Sequence, residues 1–558
     1  MSNPHTNPIT TEIIRNAFNS IAEDMNAALI RSAYTPVIYE GKDCAVALLD
    51  ETGEVLGQSL GLPLFLGNLS LCVQIVADMR GWDYFGEGDV IFLNDSYIAG
   101  THLNDVTVIM PIFWKGKRVG FATSRAHWLD VGAKDAGQSA DSHEIYQEGM
   151  RWAPTKVYKN GEPCQEILTF LKLNSRFGDA LLGDLHAQIA AGKTGEMRFN
   201  TLLDRFTRET VLAARDDIFR QSAEMERQTI SAIPDGTYTA EGALDNDGLS
   251  NEPIPVKMKV DVKGDKVTID LTGSAKQARG AVNCGETQTI SAARVAFKLL
   301  INPERPVDGG TFSSLKVIAP EKSIFNAQEP AACSWYFSSL GLLIDLFVKA
   351  MSPVMPKAAA AAHYGDSMVI ILSGYNPEKN DELYVSIEAS TGGWGAWSEG
   401  DGQDCLINNV NGSFKDYPIE VYEHRYPVRI MKYGIRSDSG GAGMYRGGNG
   451  SYREYHVTSD TSLSLWFERS HTTAWGLDGG MPGKAPEVTI THPDNTVVSV
   501  LKTNAMPLKA GTVILTQTGG GGGYGDASKR DAAHITRDLK NAYITEKEAH
   551  TRYNKALS

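Results

Sequence analysis

A chain of 558 residues cannot close around one hydrophobic core. Single cores stop growing above roughly 250–300 residues, so two to four lobes are expected. The apolar periodicities say how they are built. Ile13, Ile14, Phe18, Ile21, Met25, Ala28 and Leu29 recur at helical spacing, with Thr10 or Thr11 placed to cap, and predict a helix to about residue 32. An apolar run at 44–49, the turn Asp50-Glu51-Thr52-Gly53 and a return over 54–59 predict a hairpin. Residues 66–80 read as helix, and 89–93, 106–113 and 118–124 as strands able to share the hairpin's sheet. From 170 to 232 the pattern is helical, through Leu185, Ile189, Phe199, Leu202, Phe206, Val211, Ala214 and Ile218. Pro234-Asp235-Gly236 marks a boundary, and 238–244, 254–260 and 266–271 then alternate as a β-meander. Residues 330–365, rich in Ala and Met, are expected to be helical, and 366–515 to be β-rich with glycine turns. The expected class is α+β and multi-lobed. It comprises an N-terminal mixed α/β lobe (1–169), a central helical segment (170–233), a β-meander lobe (234–330), a mixed, β-rich, glycine-containing lobe (331–527) and a C-terminal helix and tail (528–558).

The balance of charge narrows the partners. A formal net charge of −14 repels phosphate backbones and anionic membrane surfaces, so neither nucleic acid nor membrane is an expected partner. No window of 18 consecutive apolar residues is present, and the first eight residues lack the basic start and apolar run of a signal peptide. Six cysteines are scattered with no Cys-x-x-Cys pair, which suits reduced thiols and a cytoplasmic location.

The sharpest chemistry lies in the N-terminal lobe. Asn94-Asp95-Ser96-Tyr97-Ile98-Ala99-Gly100-Thr101-His102-Leu103-Asn104-Asp105 is followed by Ser124-Arg125-Ala126-His127-Trp128-Leu129-Asp130. His102 and Asp105 are three apart in a loop between expected strands, and His127 ends the next strand. Neighbouring strands would bring all three to one sheet end. Two imidazoles and a carboxylate suit zinc, manganese or iron, and three ligands leave positions open, as in catalytic sites. A divalent ion held there would lower the pKa of a coordinated water toward ~7. Asp43, opening the first strand, is a candidate fourth ligand. Asp130 is a candidate to orient an imidazole or act as a base, and Glu144 and Glu148 are further base candidates.

Two glycine-rich segments, 437–450 and the five-glycine run at 519–523, allow either an anion nest or a close approach of chain to chain. Ala191-Gly192-Lys193-Thr194 imitates the end of a phosphate-binding loop. Position 187, where that loop needs glycine, is Ala187, and the segment sits in a helical pattern, so it is rejected as a nucleotide site.

Together these segments resemble the hydantoinase B/oxoprolinase family over nearly the whole chain. The resemblance is carried by Asn94-Asp95-x-Tyr97-x-x-Gly100-x-His102-x-x-Asp105, Glu144-Ile-Tyr-Gln-Glu-Gly149, Gly183-Asp-Leu-His-Ala-Gln-Ile-Ala-Ala191, Asp270-Leu-Thr-Gly-Ser274, Gly280-Ala-Val-Asn283, Arg425-Tyr-Pro-Val-Arg429 and the glycine-rich blocks. It implies the B-type subunit of an ATP-dependent cyclic amide hydrolase, opening a hydantoin, 5-oxoproline or lactam ring. An A-type partner would bind ATP and phosphorylate the substrate's carbonyl oxygen, in a hetero-oligomer such as (AB)2. The resemblance maps His102, Asp105 and His127 onto the family's metal ligands, with zinc ahead of manganese or iron, and agrees with the missing nucleotide loop. Within the family the alternative is a subunit of an ATP-dependent ketone carboxylase of the acetone or acetophenone type. Outside it stand a non-haem iron oxygenase, disfavoured by the His-x-x-Asp spacing, and a non-catalytic scaffold for the partner.

Overall fold

The computed structural model describes residues 6–553. Most of the N-terminal stretch read for a signal peptide and the last five residues of the tail lie outside that range. The molecule is mixed α/β with several sheets. Among the described residues no helix is long and apolar enough to cross a membrane.

The first helix spans Pro8–Ser32, but neither Thr10 nor Thr11 caps it. The Asn7 side chain accepts the Ile9 N–H at 2.9 Å, and Pro8 occupies the first helical position, where its missing N–H leaves no bond unmade. Ile14, Phe18, Ile21, Met25 and Leu29 form the buried stripe, which packs on the helix Gly178–Phe206. The expected helix over 66–80 is broken into Pro63–Leu66 and Leu69–Arg80, with Gly67 and Asn68 between them.

The predicted hairpin and strands do join in one sheet. Its strands are β1 (Cys44–Asp50), β2 (Val55–Gln58), β3 (Val90–Leu93), β4 (Asp105–Trp114), β5 (Lys117–His127), β6 (Thr155–Lys159) and β7 (Glu162–Pro163), in the order β2-β1-β5-β4-β3-β6-β7. Every neighbouring pair is antiparallel. Val46 and Leu48 point into the core beneath the helices Pro8–Ser32 and Gly178–Phe206, while Ala45, Ala47 and Leu49 pack on Leu69–Arg80. Both faces are therefore covered, which is why β1 reads as a continuous apolar run rather than as an alternation.

The predicted meander forms a second sheet from Gly236–Leu244, Ile254–Lys263 and Lys266–Asp270, with the parallel strand Leu315–Ile318 added at its edge. Val256, Met258, Val260 and Val262 turn inward, and the helix Tyr336–Met351 packs against Gly236–Leu244 and Ile254–Lys263. That helix is the only helical part of 330–365. The residues after it make turns to about 358 and then irregular chain, in which Ala361, Ala362 and Tyr364 donate their N–H groups to Ala396, Trp475 and Gly393 on other segments. Two further antiparallel sheets follow. One contains Val369–Asn376, Glu382–Ala389, Thr461–Trp466 and Lys502–Leu508; the other contains Val428–Ile435, Ser451–Val457, Glu487–Thr491, Val497–Ser499 and Val513–Gln517.

The five-glycine run is threaded between glycine-bearing segments and bonded to them on several sides. Gly521 donates to Gly448 and accepts from Gly441, Gly522 donates to Ala362 and accepts from Ala396, and Gly523 donates to Met481. None of the five has a positive φ, so the requirement is space. A Cβ on Gly521 would stand 2.0 Å from the Trp394 carbonyl oxygen. Those three N–H groups are bonded to carbonyls, which favours close chain-to-chain contact over an anion nest.

Candidate metal centre

The sheet order puts the candidate ligands together. β1, β5 and β4 are consecutive neighbours, and Asp105 at the start of β4 pairs directly with His127 at the end of β5. The His127 N–H donates to the carbonyl of Asp43, the residue before β1. His102 sits in the loop entering β4, where the Asp105 N–H donates to its carbonyl at 3.0 Å. That loop is tightly folded: Asp95 O accepts from Ile98, Ala99 and Gly100, and a Cβ on Gly100 would stand 2.2 Å from Asn94 O. Gln288 donates to the carbonyls of Gly100 and Thr101 at 2.7 and 2.8 Å, and Arg125 donates to Ala99 O at 2.8 Å.

His102 Nε2 lies 2.9 Å and His127 Nδ1 3.2 Å from the same oxygen, Asp105 Oδ1. One ligand atom from each residue falls within 4.8 Å of the others. For metal bonds of 2.0–2.1 Å, the edge of a tetrahedron is about 3.3 Å, so the spacings match a shared ion. Asp43 Oδ2 stands 4.0 Å from His127 Nδ1. His102 Nδ1, His127 Nε2 and Asp43 Oδ1 are buried with no hydrogen-bond partner among the described residues. His102 Nε2 and His127 Nδ1 meeting one carboxylate oxygen, with a second carboxylate beside them whose Oδ1 no described residue satisfies, make a donor set that fits a divalent ion.

Electrostatics divide the two carboxylates. Burial acts to raise the Asp105 carboxyl, but the adjoining His102 and His127 outweigh it and hold Asp105 well below the usual carboxylate range. Burial pushes Asp43 up to about 7, opposed by His127 and reinforced by Asp105. The far oxygen of Asp105 is held by two hydroxyls, Thr101 Oγ1 at 2.6 Å and Tyr336 at 3.1 Å. Tyr336 begins the helix Tyr336–Met351, and its ring centre is 5.4 Å from that of His102. Burial, then Asp105 and Asp43, raise the phenol well above its ordinary range, so Tyr336 remains a donor. No local pattern marked this residue; it lies 231 positions from Asp105.

The structure does not bring the three base candidates to this point. Asp130 is buried, but its carboxylate accepts from Arg176 Nη1 at 2.7 Å, from the Arg176 N–H and from Ser175. Glu148 accepts the N–H groups of Cys333 and Ser334, and burial pushes its carboxyl up to about 7 against those bonds. Glu144 is exposed and caps the short turn Ile145–Gln147. None of the three lines the cavity of about 40 Å³ that opens on the centre. That cavity is walled by Asp43, His102, Asp105, His127, Gln138 and Tyr336, and by apolar side chains from several segments. The rejected Ala191-Gly192-Lys193-Thr194 segment lies within the helix Gly178–Phe206, as its pattern indicated.

The chain as a whole has known relatives. The family model described as hydantoinase B/oxoprolinase matches residues 7–527. An uncharacterised protein of Methanocaldococcus jannaschii is 33% identical over 549 residues, covering 98% of this chain and 95% of its own. Caprolactamase subunit beta of Pseudomonas jessenii is 28% identical over 549 residues, covering 96% and 94%. The crystal structure of the ATP-dependent caprolactamase from Pseudomonas jessenii superposes with a TM-score of 0.92 at 25% identity, over 100% of this chain and 97% of that one. A nucleotide-free acetone carboxylase shares the fold at a TM-score of 0.89 and 18% identity, over 99% and 80%. With a family match running from the first helix past the five-glycine run, the chain belongs to the hydantoinase B/oxoprolinase family.

Proposed function

We propose that the chain is the metal-dependent, hydrolytic subunit of an ATP-dependent cyclic amide hydrolase, acting on a substrate whose carbonyl oxygen an ATP-binding A-type partner has phosphorylated. The observation that carries this reading is the convergence of His102, Asp105 and His127 on one point beside Asp43. The names of the relatives support the reaction class, since a caprolactamase opens a lactam and the matched structure is described as ATP-dependent. An amide is a poor electrophile because its nitrogen donates into the carbonyl; phosphorylating the oxygen removes that donation and supplies a leaving group.

His102, Asp105 and His127 would hold a divalent ion, zinc ahead of manganese or iron, with Asp43 as a fourth ligand. Such an ion supplies Lewis acidity and a lowered pKa for water beside it. Tyr336 and Thr101 fix Asp105 by its far oxygen, leaving Oδ1 toward the imidazoles. Asp130 and Glu148 act at a distance: Glu148 anchors the backbone of Cys333 and Ser334 just before Tyr336, and Asp130 pins the loop that leads to Gln138.

The test is turnover by the protein co-purified with its ATP-binding partner, supplied with a lactam or hydantoin and ATP. His127→Ala is expected to lower kcat by at least about 100-fold without dissociating the complex, because altering even outer-shell partners of a metal costs 10- to 100-fold. Near-normal turnover by that variant overturns the reading. So does activity confined to bicarbonate-dependent consumption of a ketone, which would make the chain a carboxylase subunit instead.

A further inference from the structure

A second buried cluster of charged groups lies away from the centre and takes no part in the chemistry above. Asp345 is on the helix Tyr336–Met351, nine positions beyond Tyr336, and so about 13 Å further along the axis at roughly 1.5 Å per residue. Its Oδ2 accepts from His363 Nδ1 at 2.8 Å and from Arg469 Nη2 at 2.7 Å. All three residues are buried.

Each partner of Asp345 keeps one nitrogen unmatched. Arg469 Nη1 and His363 Nε2 are buried with no hydrogen-bond partner among the described residues. A third group stands beside them. The half-buried Lys349 places Nζ 4.5 Å from the centre of the Trp475 ring, and the Arg469 guanidinium carbon is 4.9 Å from the same centre. Burial, then Arg469, push the Lys349 ammonium below its usual range, and no described carboxylate opposes them. The end of its helix offers only a partial negative charge. Two cations therefore share one aromatic ring and one carboxylate, and a buried charge without a full counter-charge is costly.

The backbone is shaped to bring Arg469 here. Arg469 itself is a non-glycine residue in the left-handed region, at a φ of 66°. Its side chain passes over Gly365, whose φ is 125° and where a Cβ would stand 2.2 Å from Arg469 Cγ. One strained residue and one bare one are retained where they place a guanidinium, a pattern typical of binding sites.

The unmatched atoms define the ligand. Arg469 Nη1 and Lys349 Nζ are donors and require negatively charged oxygens. His363 gives its Nδ1 proton to Asp345, so the neutral ring presents Nε2 as an acceptor and requires an O–H. A carboxylate supplies only the first kind of group, whereas hydrogen phosphate supplies both. We infer that Lys349, His363 and Arg469 form a phosphate site, distinct from the metal centre and independent of what is hydrolysed there. Its ligand is inorganic phosphate or the phosphoryl end of a small monoester.

Titration calorimetry of inorganic phosphate into the full-length chain at fixed ionic strength tests the assignment. One saturable phosphate per chain is expected, with a Kd of about 1 mM or tighter. His127→Ala removes a candidate metal ligand and should leave that Kd unchanged, which separates this site from phosphate held at the metal. Lys349→Met keeps an apolar stem on Trp475 and should weaken binding by about 10-fold or more. Being only half-buried, that position tolerates the change even if Arg469→Gln, which strips Asp345 of its guanidinium, fails to fold. Sulfate, with no O–H for His363, should bind about 10-fold more weakly than phosphate. Methyl phosphate bound as tightly as inorganic phosphate identifies a monoester end as the ligand, and weaker binding identifies the free anion; either supports the site. No saturable binding, binding lost in His127→Ala but kept in Lys349→Met, or sulfate held as tightly as phosphate overturns it.

Discussion

Asp105 has one oxygen turned to two imidazoles and the other held by two hydroxyls, so its geometry depends on residues that need not touch a metal. Tyr336→Phe removes one of those hydroxyls and keeps the ring. It should weaken metal affinity by about 10-fold or more in a chelator competition, with little change in melting temperature; unchanged affinity would show that Thr101 suffices. Glu148 carries a different prediction. Its carboxyl is raised from 4.5 to about 7 by burial, so folding favours the protonated form. That contribution is complete below pH 4.5 and is lost as pH rises through about 7, an effect on the order of 3 kcal/mol at most. Glu148→Gln keeps an acceptor for the Cys333 and Ser334 N–H groups and should flatten the fall of stability across that window in denaturant titrations. An unchanged slope would place the titrating group elsewhere. Among individual residues, His102, Asp105 and His127 were legible because strand ends and a three-residue spacing are local features. Tyr336 and Gln288 were not, because they reach the centre from segments far along the chain.

At the scale of elements, legibility followed how local the determining interactions are. The strand Ile254–Lys263 alternates because one face packs inward, and that alternation is written in its residues. The stretch after Met351 looked helical from its alanines but turns and then leaves the helical path, because the N–H groups of Ala361, Ala362 and Tyr364 are claimed by segments 29 to 113 residues away. Composition cannot show such partners. The glycine run gave half its meaning: glycine allowed close approach, and only the fold reveals the crossing segments at 392–396, 440–450 and 476–483. Gly521→Ala forces a methyl against backbone rather than against a flexible side chain. It should destabilise by more than about 4 kcal/mol, or prevent soluble folding. A melting temperature within a few degrees of wild type would mean that the crossing segments can part.

In the whole molecule, the centre is assembled between the end of the first sheet and residues brought from far along the chain. Asp43 just before β1, His127 at the end of β5 and Asp105 at the start of β4 come from three adjacent strand ends, Tyr336 and Phe337 from the helix Tyr336–Met351, and Val369, Ile387 and Ala389 from another sheet. The donor set could be guessed from one hundred residues, but the cavity that opens on it could not. Elemental analysis of the purified protein, beside His102→Ala prepared identically, tests the central claim most directly. About one zinc, manganese or iron per wild-type chain, and its loss from the variant, is the predicted result. Wild-type protein without a divalent metal after purification from metal-replete cells, or a variant that retains a full equivalent, would contradict it.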